Sequence, residues 1–261
     1  MARGGRLLIC AWLGLALLAG NSYASHDITP WRDNKAGAIS LTFDDNVGSQ
    51  TSIGLPALNE RGFKGTFFLI SDYAAWSVWQ PVAAAGHEIG SHSKDHTILK
   101  LNPNSTPPVD LAKLQDEILG SQSDLNAMIS PEKCVSFAYP GGQFDDTARS
   151  IVEQHYIGAR GVNCMLNGAP FDLYDVNTCF PETPQSLDQM KVWTDGAEQE
   201  GKWLVVGFHN LDGTYGSWPT TEFYQYMDYV KGKGNLWVAP FGSVVKLAQL
   251  LGTTGLPVAL H

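Results

Sequence analysis

The sequence predicts an α/β fold in which a parallel β-sheet curls into a (β/α) barrel. Short apolar runs alternate along the chain with segments whose apolar residues recur at helical spacing, and about seven or eight such units follow one another. This alternation favours a parallel sheet covered by helices, and the number of units suits a barrel better than an open sheet. An open doubly wound sheet is the alternative, although no G-x-G-x-x-G follows the first strand.

The individual elements follow from the same local patterns. The clearest helix is 110–129, because Leu114, Ile118 and Leu125 share one face. Asp110 at its start suits the N-cap. The predicted strands are 37–43, 65–70, 88–91, 135–139, 157–160, 203–208 and 236–238, and the predicted helices are 55–61, 76–85, 110–129, 145–155, 186–200, 220–230 and 243–251.

Residues 1–24 differ in character from the rest of the chain. Two arginines form a short positive head, residues 7–18 form an apolar run, and small residues precede a cleavage site after Ala24. This pattern is typical of a secretory signal peptide and is too short for a comfortable membrane span, although an uncleaved anchor is an alternative. We therefore expect a secreted or periplasmic protein with no stable membrane anchor.

The remaining residues, 25–261, contain no linker or low-complexity block and predict a single domain. Of the 261 residues, 44% are apolar, which is enough for a sizeable core. The chain carries 26 acidic and 17 basic residues and has no basic run. This charge balance excludes nucleic acid as the main partner.

The cysteines indicate one disulfide. Cys164 and Cys179 flank a loop-like stretch rich in Gly, Pro, Asn and Asp, so we expect them to pair in an oxidising compartment, with Cys134 as a buried thiol. No cysteine pair has C-x-x-C spacing, so a structural zinc ribbon is not indicated.

Titratable residues follow the first and third predicted strands. Asp44 and Asp45 end the first strand, where adjacent carboxylates face diverging directions, so one can bind a metal while the other handles a proton. A turn or helix cap is the alternative for this pair. His92 and His96 follow the third strand, and a single helical turn would place both on one face, where they could bind a metal. Solvated surface histidines are the alternative for this pair. His87 precedes that strand, and we interpret it as a structural hydrogen-bonding residue.

Two further strand ends carry chemistry. A Pro followed by two glycines, including Gly141, lets the backbone present an N–H to an oxyanion, unless it is an ordinary turn. His209 ends an apolar strand, as a general acid or as a packed core histidine. In a barrel all these ends meet at one mouth, where Asp45, His92 and His96 leave room for water, as at a catalytic metal site.

The segments TFDDN, HEIGSHSKDH, FAYPGG and FHN resemble, in order and spacing, the motifs of the polysaccharide deacetylases, family 4 of the carbohydrate esterases, including the nodulation-type chitooligosaccharide deacetylases. The resemblance implies a distorted (β/α) barrel of about seven strands and one divalent metal, most often Zn²⁺, with Co²⁺ as a substitute. It also implies a carbohydrate substrate, either an N-acetylglucosamine-containing glycan or acetylated xylan, from which acetyl groups are hydrolysed.

The resemblance also implies roles by position. Asp44 would be the general base and His209 the general acid. The remaining positions are metal ligands Asp45, His92 and His96, an oxyanion N–H from Gly141, and Asp172 or Asp175 as partners that orient His209. Apart from the resemblance, we expect Tyr139 and Trp218 to contact the substrate. Ala138 stands where many members have an Arg that contacts the base, so another group must orient Asp44.

Other functions remain open at this point. A non-catalytic carbohydrate-binding protein on the same scaffold is one alternative, for which Trp218 offers a stacking surface. A small-molecule amidohydrolase is another. A nucleophilic-serine esterase is disfavoured, because the chain has no G-x-S-x-G.

Overall fold

The computed structural model describes Met1 and residues 31–129, 132–181, 186–214 and 218–254. The predicted signal peptide lies, apart from Met1, outside these residues. None of the described helices is long and apolar enough to cross a membrane.

The framework is a curled parallel sheet, as the alternation of elements predicts. Its strands are β1 (Gly37–Asp44), β2 (Thr66–Leu69), β3 (Glu88–Ser91), β4 (Ser136–Ala138), β5 (Gly158–Arg160), β6 (Trp203–Phe208) and β7 (Leu236–Val238). They lie in the order β5-β4-β3-β2-β1-β6, and β7 also pairs with β1. Ala38 is in register with both Trp203 of β6 and Trp237 of β7, so β6 and β7 pair with opposite edges of β1. The edge that pairs with β7 also pairs with β2. This shared edge makes the barrel a distorted one.

Helices connect and cover the strands. They are α1 (Leu55–Glu60), α2 (Trp76–Ala84), α3 (Leu111–Gln115), α4 (Ser121–Met128), α5 (Asp146–His155), α6 (Leu187–Glu200), α7 (Thr220–Lys233) and α8 (Phe241–Thr254). The predicted helix 110–129 is confirmed, with Asp110 as its N-cap accepting a hydrogen bond from the backbone N–H of Lys113 at 2.8 Å. A π-helical turn, Asp116–Gly120, joins α3 to α4 and was not expected from the sequence.

The larger hydrophobic core contains buried residues of both the strands and the helices and is rich in aromatic rings. Phe43 of β1 stacks on Phe67 of β2 at 4.8 Å and on Phe208 of β6 at 5.4 Å between ring centroids. His87 is buried beside this core and accepts a hydrogen bond from the backbone N–H of Gly65, while its other ring nitrogen contacts Asn59. Burial lowers the pKa of His87 to about 4, so it is neutral, and its structural role is confirmed.

An irregular segment, 176–179, closes the gap between β5 and β6. Val176 forms a parallel bridge with Arg160 of β5, and Cys179 forms one with Val206 of β6. No strand is predicted here from the local sequence, because the segment owes its extended conformation to these long-range bonds. Cys179 is disulfide-bonded to Cys164, as expected, while Cys134 is a buried free thiol. The disulfide therefore tethers the segment that completes the barrel wall.

Removing this disulfide should lower the free energy of unfolding by about 3 kcal/mol, because it closes a loop of sequence separation 15 and restricts the unfolded chain. Urea-induced unfolding of Cys164→Ser/Cys179→Ser measures the loss. Cys134→Ala keeps the bridge and controls for the removal of a thiol. An unchanged free energy of unfolding in the double variant would contradict this role.

Candidate active site

The residues singled out by the motifs lie at the carboxyl ends of the strands. Asp44 is the last residue of β1, His92 follows β3 and His209 follows β6. The turn Pro140–Gly142 follows β4 with one residue between them. Because the carboxyl ends of parallel strands open on the same side of a barrel, these groups share one mouth.

Three side chains form a group that can hold a metal ion. Asp45 Oδ1 lies 3.4 Å from His92 Nε2 and 3.6 Å from His96 Nε2. The donor atoms of the group all lie within 4.8 Å of one another. Asp45 Oδ1 is buried and has no hydrogen-bond partner among the described residues, which leaves a carboxylate oxygen that a cation would satisfy. Two imidazoles and one carboxylate are a donor set that zinc-like ions accept, so the residues fit such an ion.

Left-handed backbone conformations orient two side chains of this group. Asp45 has φ 71° and His96 has φ 71°, values uncommon for residues other than glycine. The side chain of Asn46 supports the turn after β1, since it accepts a hydrogen bond from the backbone N–H of Ile70 and donates one to the carbonyl of Ile70, both at 2.9 Å. The predicted helical turn between the two histidines is wrong, because residues 93–96 are not helical. Left-handed turns bring the imidazoles together instead.

Hydrogen bonding orients the imidazole ring of His92. Its Nδ1 lies 2.8 Å from the carbonyl oxygen of Ala138 and is placed to donate to it, which leaves the lone pair of Nε2 facing Asp45. His92 is only 2% exposed, and this burial lowers its pKa. The ring is therefore held neutral, the form that binds metals.

Asp44 forms a buried ion pair with Arg160 at the end of β5. The contact joins Asp44 Oδ1 to an Nη of Arg160, and both residues are at most 2% exposed. Burial raises the pKa of Asp44, but the charge and hydrogen bond of Arg160 together with the neighbouring His92 and His209 outweigh it, so the pKa lies below its ordinary value. The guanidinium also stacks over the rings of Phe68, at 4.8 Å, and Phe180, at 5.2 Å.

Arg160 orients Asp44 in place of the Arg that Ala138 replaces, and no sequence motif predicts this role. The two residues are direct neighbours in the register of β4 and β5. The guanidinium therefore reaches the carboxylate from the adjacent strand instead of from the family position. The available signal was a lone charged residue at the end of a short, otherwise apolar strand.

His209 lies beside the group that can hold a metal ion. Its Nε2 is 3.7 Å from Asp45 Oδ2, and its side chain is 32% exposed. The ring stacks on Phe180 with 5.2 Å between centroids, so one aromatic ring contacts both His209 and Arg160. The buried side chain of Gln50 donates hydrogen bonds to the backbone carbonyls of Asp44 and His209 and so ties the ends of β1 and β6 together.

The described contacts of Asp172 and Asp175, the predicted orienting partners of His209, include Arg149 and Gly161. Asp172 accepts a two-pronged ion pair from Arg149 at 2.7 and 2.9 Å. The carboxylate of Asp175 packs against Gly161. The ring of His209 itself stacks on Phe180, and the orienting role of the two aspartates stays a prediction.

Tyr139 and Trp218 are core residues rather than surface contacts for a substrate. Tyr139 is 1% exposed and stacks on Phe144 at 4.0 Å. Trp218 is 2% exposed and stacks on Phe208 at 5.7 Å. Tyr and Trp are common both in protein cores and at binding surfaces, so the sequence alone does not distinguish a core role from a substrate contact. Gly141, in contrast, is exposed with φ 56°, a conformation that a glycine adopts without strain.

The sequence and fold have known relatives. A family model described as Polysaccharide deacetylase matches residues 32–159. The chain belongs to the polysaccharide deacetylase family. It is also 32% identical over 188 residues to a protein of a Bacillus species named gellan lyase. That alignment takes in 71% of this chain but 7% of the relative, so the chain spans a small part of the relative's length.

Solved structures share the fold at low sequence identity. A putative polysaccharide deacetylase from Mycobacterium smegmatis aligns with a TM-score of 0.64 and 17% identity, over 89% of this chain and 96% of that one. Puue allantoinase aligns with a TM-score of 0.65 and 15% identity, over 88% of this chain and 94% of that one. At these identities the likeness concerns the fold alone.

Replacing Arg160 by Met should raise the pKa of Asp44, because burial then acts without the opposing guanidinium. Carbon-13 NMR titration of the aspartate carboxyl groups measures this pKa. Arg149→Met is the matched control, since Arg149 pairs with Asp172 on the surface and should leave Asp44 unchanged. An Asp44 pKa that is the same in Arg160→Met and in the wild type would contradict the role given to Arg160.

Proposed function

We propose that the protein is a metal-dependent deacetylase that hydrolyses acetyl groups from a carbohydrate, either an N-acetylglucosamine-containing glycan or acetylated xylan. The observation that carries this proposal is the group of Asp45, His92 and His96 beside the buried pair of Asp44 and Arg160. A metal-ligand set and a separately held carboxylate at one barrel mouth suit hydrolysis by an activated water. Membership of the polysaccharide deacetylase family supports the same chemistry.

Each side chain has a separate task in this proposal. A bound divalent ion, zinc or in its place cobalt, would polarise the acetyl carbonyl and acidify a water molecule. Asp44 accepts the proton of that water at Oδ2, because its Oδ1 is occupied by Arg160 while Oδ2 faces His92 at 3.9 Å. His209 donates a proton to the departing nitrogen or oxygen. The backbone N–H of Gly141 stabilises the oxyanion.

We also propose that the protein works outside the cytoplasm, in the periplasm or as a secreted enzyme. The predicted signal peptide and the disulfide between Cys164 and Cys179 support this location, because disulfides persist in oxidising compartments. The carbohydrate is the expected partner, without nucleic acid and without a stable membrane anchor.

A small-molecule amidohydrolase is the second candidate, favoured by the similarity of the fold to Puue allantoinase. Assays of chitooligosaccharides, acetylxylan and allantoin with one enzyme preparation distinguish the two candidates. A non-catalytic carbohydrate-binding function is less well supported, because the buried Trp218 offers no stacking surface.

Removing the metal should abolish acetyl release, because Asp45, His92 and His96 then lack the ion that polarises the substrate. Acetate release is measured before and after dialysis against a chelator, and again after addition of zinc or cobalt, which should restore it. Full activity in protein shown to be metal-free would contradict the proposal.

Asp44→Asn should retain the metal and lose turnover by about 10²–10⁴-fold, the usual contribution of a general base. Metal content and kcat are measured on the same sample. Arg149→Met again serves as a surface control. If Asp44→Asn instead loses its metal, Asp44 is itself a ligand and the two aspartates have been assigned wrongly.

His209→Ala should impair hydrolysis of amides more than that of esters, because an amine must be protonated to leave whereas a sugar alkoxide departs more readily. The fall in rate at high pH, which reports loss of the acid's proton, should also disappear. Both reactions are compared in the same variant over a range of pH. Wild-type rates on amides, or an unchanged profile at high pH, would show that His209 is only a packing residue.

A further inference from the structure

We propose that Glu117 is a positioning residue for the metal site, which holds His96 in place through the backbone of the loop between the two histidines. This inference rests on the proposed metal site. Glu117 itself contacts none of the ligand side chains in the described hydrogen bonds and ion pairs. It acts on the peptide groups that lie between His92 and His96.

The contacts of Glu117 are directed at that loop. Its Oε2 accepts hydrogen bonds from the backbone N–H groups of Lys94, at 2.9 Å, and Asp95, at 3.0 Å. Glu117 is completely buried, although glutamate is seldom fully buried without a partner. A carboxylate that accepts two successive N–H groups fixes the orientation of both peptide planes.

The loop needs such support because it has no regular structure of its own. Ser93 has φ 65° and His96 has φ 71°, both in the left-handed region that is costly for these residues. Hydrogen bonds hold the start of the loop, including one from the backbone N–H of Ser71 to the carbonyl of Ser93 at 3.2 Å. Glu117 holds its middle, directly before His96.

A π-helical turn carries Glu117, in the stretch Asp116–Gly120. Such turns are rare and occur frequently at functional sites. Here the turn buries two consecutive residues, Glu117 and Ile118, whereas an amphipathic α-helix buries residues three or four apart. Ile118 packs in the core, and Glu117 faces the loop.

Lys113 offsets the free-energy cost of burying the carboxylate of Glu117. Its Nζ lies 2.6 Å from Glu117 Oε1 and 2.8 Å from Asp95 Oδ2, so one ammonium joins the helix to the loop. Asp95 in turn accepts hydrogen bonds from the backbone N–H and the hydroxyl of Thr97. The network thus holds the residues directly before and directly after His96, which are Asp95 and Thr97.

Three variants separate positioning from simple stabilisation. Glu117→Gln keeps the shape but places an amide near Lys113. Lys113→Met/Glu117→Met removes both charges together, an exchange that often leaves stability unchanged or raised. Asp116→Asn is the matched control, because Asp116 lies in the same turn and binds only the side chain of Lys94 among the described ion pairs.

The measurements are the zinc dissociation constant by chelator competition, the absorption spectrum of bound Co²⁺ and the thermal unfolding of the metal-free protein. We expect Glu117→Gln and the double variant to bind zinc about tenfold or more weakly, the range seen when outer contacts of a metal site are lost. Their Co²⁺ spectra should differ from that of the wild type. The metal-free double variant should unfold as the wild type does, and Asp116→Asn should match the wild type throughout.

Wild-type zinc affinity and an unchanged Co²⁺ spectrum in a folded double variant would overturn the inference. If neither variant folds without metal, Glu117 is a residue of the fold and the inference is also overturned. Failure of the wild-type protein to bind zinc would be a different result, because it removes the proposed metal site itself.

Discussion

The ion pair between Asp44 and Arg160 joins strands that are far apart in the sheet. β2, β3 and β4 separate β1 from β5, and four spacings of about 4.8 Å would put the two strands about 19 Å apart in a flat sheet. The side chains nevertheless meet in the protein interior. The sheet must therefore curl until β5 faces β1 across the barrel, and the same curvature brings Asp45, His92, His96 and His209 to one mouth. An open sheet could not hold the candidate base in this way.

Most of the fold could be predicted from the sequence, because most elements follow from local patterns. The apolar run of β6 and the helical periodicity of residues 110–129 are signals of this kind. Two features of the fold show what local patterns do not predict. The π turn that carries Glu117 depends on a loop more than twenty residues away, and the extended segment 176–179 depends on pairing with β5 and β6. Contacts between distant segments decide both.

The part of the candidate site that could be predicted consists of residues that directly follow predicted strands. Asp45 and the two histidines follow predicted strands, and the structure brings them together, although by left-handed turns and not by a helical turn. Arg160 was missed because its partner lies in another strand of the curled sheet. Trp218 was expected to contact substrate, but its burial depends on packing against Phe208, which no local pattern reveals. Sequence motifs thus indicate candidate reactive groups, but they rarely indicate the residues that position those groups.

The central claim is that Asp45, His92 and His96 bind one divalent metal ion while Asp44 stays paired with Arg160. Anomalous X-ray diffraction from crystals grown with zinc, collected on both sides of the zinc absorption edge, tests it most directly. We expect one anomalous peak at about 2.0–2.2 Å from Asp45 Oδ1, His92 Nε2 and His96 Nε2. The absence of a peak at this position in zinc-saturated crystals, or a zinc ion bound by Asp44 in place of Asp45, would contradict the claim.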